Sequence, residues 1–75
     1  MKIKVKLIGP LIYEAGYSES EIEVPEDTTA EALLDRIPLP RERPRIVTRN
    51  GRAVALREIL ADGDRIAISP IYSGG

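Results

Sequence analysis

One helical stripe among several short alternating runs limits what this chain can fold into. Ala30, Leu33, Leu34 and Ile37 fall at i, i+3, i+4 and i+7, the spacing of a single apolar helix face. Almost everywhere else the apolar residues recur at every second position or in short runs. Lys2 to Leu7 sets Ile3, Val5 and Leu7 against Lys2, Lys4 and Lys6, the pattern of a strand with one buried and one solvated face. Glu19 to Val24 alternates too, with Ile22 and Val24 opposite Glu21 and Glu23. Ile46-Val47-Thr48 opens a further strand, and Arg65 to Ser69 closes the pattern with Ile66 and Ile68 inward. A chain with one long helical stripe has one roof to lay over its strands, so the class is α+β: a twisted mixed sheet of four to five strands with one main helix across one face.

The punctuation fits this order. Gly9-Pro10 precedes a short helical turn, Leu11 to Ala15, that Gly16 ends. The first two strands suit an antiparallel pair, which sets the lysine face of one against the glutamate face of the other. Either Thr28, in a capping box with Glu31, or Thr29 serves as N-cap of the main helix, and Pro38 stops it within about three turns. Residues 38–45 hold three prolines and three arginines, a stiff solvated connection. Asn50-Gly51 is a strong two-residue hairpin signal, from which Arg52 to Leu56 is expected to run back as a strand, followed by a helical turn from Arg57 to Leu60. The Asp62 and Asp64 pair reads as turn chemistry, since the ligand spacing of a calcium loop is missing. Placing the first and last strands side by side at the centre protects both.

Composition narrows the function classes. With 75 residues the chain makes one domain, read as a body over 1–69 and a tail over 70–75. It has no cysteine and no histidine, hence no thiolate nucleophile, no Cys-based metal site and no neutral-pH imidazole base. A net charge of -1 favours neither nucleic acid nor an anionic membrane, and the lysines of the first strand have no aromatic beside them for bases to stack on. No run approaches the ~20 apolar residues of a membrane span. The expectation is a cytoplasmic, non-catalytic domain.

What remains distinctive is the end: Pro70-Ile71-Tyr72-Ser73-Gly74-Gly75, directly after the last strand. Two glycines lack Cβ atoms and can thread a channel too narrow for side chains. From Pro70 such a tail can reach on the order of 20 Å and presents a carboxylate. A frayed terminus is the plain alternative.

The order of elements resembles the β-grasp, or ubiquitin-like, fold. Val24-Pro25-Glu26-Asp27-Thr28-Thr29 with Leu33-Leu34, then Asn50-Gly51-Arg52, Leu60-Ala61-Asp62-Gly63-Asp64 and Ser73-Gly74-Gly75, is similar to the MoaD/ThiS sulfur carriers over nearly the whole chain. The ending is nearest to that of the molybdopterin synthase small subunit. It departs where Ser69 replaces a common apolar or aromatic residue and Ile71 replaces a second proline. The resemblance implies a chain that carries no cofactor of its own. An E1-like partner would use ATP and Mg²⁺ to adenylate Gly75, a sulfur donor would convert it to a thiocarboxylate, and a molybdopterin synthase large subunit or equivalent acceptor enzyme would take the sulfur. The same tail also suits a thiamin-type or other sulfur carrier, or a protein modifier conjugated through Gly75. Gly74 and Ser73 are then the arm. Tyr72, Ile71 and Pro70 are candidate partner contacts, with Ser69, Ala67 and Arg65 on the outward face of the last strand.

Overall fold

A computed structural model describes residues 1–39 and 45–71. The elements, in order, are β1 (Lys2–Leu7), α1 (Leu11–Ala15), β2 (Glu19–Glu23), α2 (Ala30–Leu34), β3 (Arg45–Arg49), β4 (Arg52–Ala53) and β5 (Arg65–Pro70). The strands form one sheet in the order β2-β1-β5-β3-β4. β1 and β5 run parallel at its centre, as the protection of both strands requires, with Val5 opposite Ile66 and Leu7 opposite Ile68. β2 flanks β1 antiparallel, and β3 flanks β5 antiparallel. A mixed sheet with a helix packed on one face is the β-grasp arrangement.

The alternation decides the faces. Ile3, Val5 and Leu7 from β1 and Ile66 and Ile68 from β5 are buried against Ala30, Leu33 and Leu34 of α2 and against Ile37 beyond it. Without Trp or Phe, this aliphatic layer and its satellites (Leu11, Val24, Leu39 and Leu60) are the core. On the outer side, Lys2, Lys4 and Lys6 stand opposite Glu23, Glu21 and Glu19.

The structure settles the cap and the length of the main helix and overturns one expectation. The N-cap is Thr29, whose hydroxyl accepts from the Ala32 N–H at 3.1 Å; Thr28 is buried and donates instead to the Pro25 carbonyl at 2.6 Å. The helix is shorter than its stripe, because Arg36 and Ile37 bond back three residues to Leu33 and Leu34 in 3₁₀ fashion while Ile37 stays in the core.

The largest correction concerns the return from the hairpin. β4 spans only Arg52–Ala53, Leu56 is exposed, and Arg57 to Leu60 is not helical. Glu58 folds this segment into a turn by accepting from the Ala55 N–H at 2.6 Å. The carbonyls of Leu56 and Glu58 then accept from the Glu31 and Ala30 N–H groups, and the Leu60 N–H donates to Thr28. The first N–H groups of a helix have no partner within it. Here the loop supplies that partner and is drawn away from the sheet.

Candidate functional site

The site is built where β5 ends. β5 is held on both sides, by β1 from Arg65 to Ile68 and by β3 from Ile66 to Pro70. The strand takes in Pro70, expected as the first residue of the tail, because it pairs with Arg45. Proline lacks an N–H but keeps a carbonyl that can accept, so it is tolerated at a strand end. β5 is therefore held in the sheet through Pro70. Tyr72, Ser73, Gly74 and Gly75 lie outside the described residues.

Of the expected partner-contact residues, Arg65 is exposed, Ala67 and Ser69 are half-buried on the outward face, Pro70 is half-buried, and Ile71 is exposed. The structure adds two residues beside them. Ile46 pairs with Ser69 on the same face. Ile8, one step beyond the Leu7–Ile68 pair, donates its N–H to the Ile68 carbonyl at 3.0 Å and so flanks Ser69 from the other side. Ile8, Ile46 and Ile71 are 41%, 50% and 53% exposed, three aliphatic side chains on the surface near the end of β5. Isolated exposed apolar residues are ordinary, and these three stand at the same end of β5.

Ile8 and Ile46 were readable in principle. Leu7-Ile8 and Ile46-Val47 are adjacent apolar pairs, and successive strand residues point to opposite faces, so one of each pair must face outward. Which of Ile46 and Val47 does so depends on the register with β5.

Around the aliphatic group the face is polar. Lys6 and Thr48 flank Ala67, and Lys4 flanks Arg65. Together they line a shallow concavity that also takes in Glu19 and Glu21. The side chains of Ala67 and Thr48 in its lining are small.

At the other end of β5 an electrostatic clasp fixes the strand. Asp64, only 6% exposed, accepts from the Ala61 N–H at 2.7 Å, from Arg49 Nε at 2.7 Å and from Asn50 Nδ2 at 3.0 Å. Asn50 Oδ1 in turn accepts from the Arg65 N–H at 2.9 Å. Burial by itself raises the Asp64 pKa, but the Ala61 and Asn50 hydrogen bonds and the Arg49 guanidinium outweigh it and hold the carboxyl below its ordinary value. Asp62 accepts from the Lys2 N–H at 2.7 Å. Both aspartates are thus occupied with turn and strand donors. Among the described residues no group of His, Cys, Asp and Glu side chains could hold a metal ion, and no helix is long and apolar enough to cross a membrane.

The profile of the ThiS family matches residues 5–75, through to the terminal Gly-Gly. The chain belongs to the ThiS family. Members share the ubiquitin-like fold seen here and act as sulfur carriers, small proteins that are not themselves catalysts. Among solved structures, SAMP1 of Haloferax volcanii is 30% identical, with a TM-score of 0.83 and both chains covered over 100% of their length. A Pyrococcus furiosus protein assigned as molybdopterin converting factor subunit 1 is 29% identical with a TM-score of 0.86, covering 96% of this chain and 99% of that one. Subunit 1 or 2 of the Helicobacter pylori molybdopterin-converting factor, solved as a complex of the two, matches at 23% identity, a TM-score of 0.68 and 100% coverage of both chains, which bears on the fold alone. No curated protein matches the chain in sequence.

Proposed function

We propose that this member of the ThiS family is a sulfur carrier of the molybdopterin synthase small-subunit kind, with Gly75 as its reactive end. The observation that carries the reading is a family match that runs to a terminal Gly-Gly, which follows in sequence a strand anchored between β1 and β3 beside exposed aliphatic residues. The likeness to the Pyrococcus furiosus protein supports this branch of the family.

An ionised carboxylate is a poor electrophile, and an unperturbed α-carboxyl, with a pKa of about 3.5, is ionised at neutral pH. An E1-like partner overcomes this with ATP and Mg²⁺. A Gly75 carboxylate oxygen attacks the α-phosphate, pyrophosphate leaves, and an acyl-adenylate forms. A sulfur nucleophile then attacks the Gly75 carbonyl carbon, AMP leaves, and the terminus becomes a thiocarboxylate that an acceptor enzyme can draw on. Within this scheme the chain's own residues bind and present. Ile8, Ile46 and Ile71 dock against a partner, Ala67 and Ser69 let it approach the sheet, and Ser73 and Gly74 thread toward its reaction centre.

The test is the intact mass after incubation with a matched E1-like enzyme, ATP and sulfide. A gain equal to replacing one oxygen by sulfur, localised to Gly75, is expected. It should vanish on deletion of Gly75 or on adding one residue after it, with the fold retained. Sulfur transfer that survives either change would sink the proposal.

A second reading is favoured by one relative: Haloferax volcanii SAMP1 is a small archaeal modifier protein. A modifier would pass the activated Gly75 to a lysine amine and leave diglycine remnants on lysines of other proteins. Finding such remnants when the chain is expressed, and none when Gly75 is deleted, would favour this branch.

A further inference from the structure

The chain has three lysines, at positions 2, 4 and 6, and β1 turns all of them to its outward face. Lys6 stands between Glu19 of β2 and Ala67 of β5, and Lys4 between Glu21 and Arg65. The Lys6–Ala67 row adjoins the row that holds Ile8, Ser69 and Ile46. Lys2 differs: it lies opposite Glu23 and precedes the first residue paired with β5. The other amine, Met1 N, is partly buried and donates to the Val24 carbonyl at 2.7 Å. Lys4 and Lys6 are therefore the two lysines beside the part of the face we read as the docking surface.

We infer that Lys4 and Lys6 are acylation sites through which this face is switched off. The inference rests on the proposed docking role of the face. The charged groups lining the concavity are Lys4, Lys6 and Arg65 against Glu19 and Glu21, three positive and two negative, a net of +1. In acylation the neutral Nζ attacks the carbonyl carbon of an activated acyl group such as a thioester. A C–N bond forms, the bond to the leaving group breaks, the leaving group departs with that electron pair, and one Nζ proton passes to solvent. Each event removes one positive charge. Acylating both lysines turns +1 into -1 and leaves Glu19 and Glu21 facing neutral amides. The added bulk stands beside Ala67, where the small side chain otherwise lets a partner approach. A partner matched to the unmodified face then meets both reversed charge and lost shape.

The experiment treats the full chain with N-hydroxysuccinimidyl acetate, confirms the lysine acetyls by mass, and measures the rate of Gly75 adenylation by the matched E1-like enzyme. A K2R/K4R/K6R variant treated identically keeps its charges, gains no lysine acetyl, and controls for acetylation of Met1. A K4R/K6R variant leaves Lys2 as its one reactive lysine. Acetylated wild type should be slowed about tenfold or more, as expected for the loss of a central contact. Both treated variants should keep the rates they had before treatment, and circular dichroism melting should be unchanged in all three proteins. Acetylated wild type that is adenylated at the untreated rate overturns the inference. So does a loss of rate that tracks a loss of fold, or an equal loss in the K4R/K6R variant. If untreated wild type is never adenylated, the proposed function itself falls, and the inference falls with it.

Discussion

Replacing Asp64 by alanine should destabilise this protein more than any exposed substitution of similar size. The carboxylate gathers three donors from three places: the Ala61 N–H of its own turn, Asn50 of the hairpin and Arg49 at the end of β3. Hydrogen bonds to a charged group contribute about 1.5 to 3 kcal/mol each, and breaking a buried pair costs about 3 to 5 kcal/mol. Arg49 is partly exposed and keeps Glu58 at 3.4 Å, so part of its loss is recovered by water and by that carboxylate. The expected cost of Asp64→Ala is therefore about 3 kcal/mol, the low end of that range. Against about 4 to 11 kcal/mol of net stability for a chain of this size, that is a large fraction. It corresponds to a fall of about 12 to 24 °C in Tm. Asp64→Asn keeps the shape and one acceptor but loses the charge, so it should fall between wild type and alanine.

The pH dependence follows from the direction of the shift. The folded Asp64 pKa is lowered, so its contribution is present in full above the unfolded value of about 3.9 and is lost as pH falls through the folded value. Urea unfolding followed by far-UV circular dichroism at neutral pH and at a pH below both values measures each term. The gap between wild type and Asp64→Asn should close in acid. A cost for Asp64→Ala below about 1 kcal/mol at neutral pH, the range of an ordinary surface change, would refute the clasp.

Two further outcomes are expected. Ile46→Asp or Ile8→Asp should weaken binding of the wild-type E1-like partner by about tenfold or more while leaving Tm nearly unchanged, because the side chains are half exposed in the free protein; titration calorimetry beside a melting curve separates the two effects. Thr29→Ala should cost about 1 kcal/mol in urea unfolding through loss of the α2 cap.

Much of this protein was fixed locally. In β1 and β5 the side-chain period of two assigns the faces before any partner strand is known, and Ile3, Val5, Leu7, Ile66 and Ile68 are all buried. Asn50-Gly51 makes its turn with φ of 51° and 84°, a left-handed pair that asparagine and glycine accept with little strain. The one helical stripe forced a single-roofed α+β domain. Local pattern is silent where a residue's role depends on one far along the chain. Thr28 and Thr29 are equivalent cap candidates in sequence, and the loop carbonyls that meet α2 come from residues 56 and 58. The return strand predicted after the hairpin was lost to that same contact. Asp64 looks like a turn residue and becomes the centre of a clasp because β3 delivers Arg49 to it. Ile46 faces outward, beside Ser69, because of a register between strands more than twenty residues apart. Alternation says which residues share a face, but only the pairing of β1, β3 and β5 decides which of them meet at the end of β5.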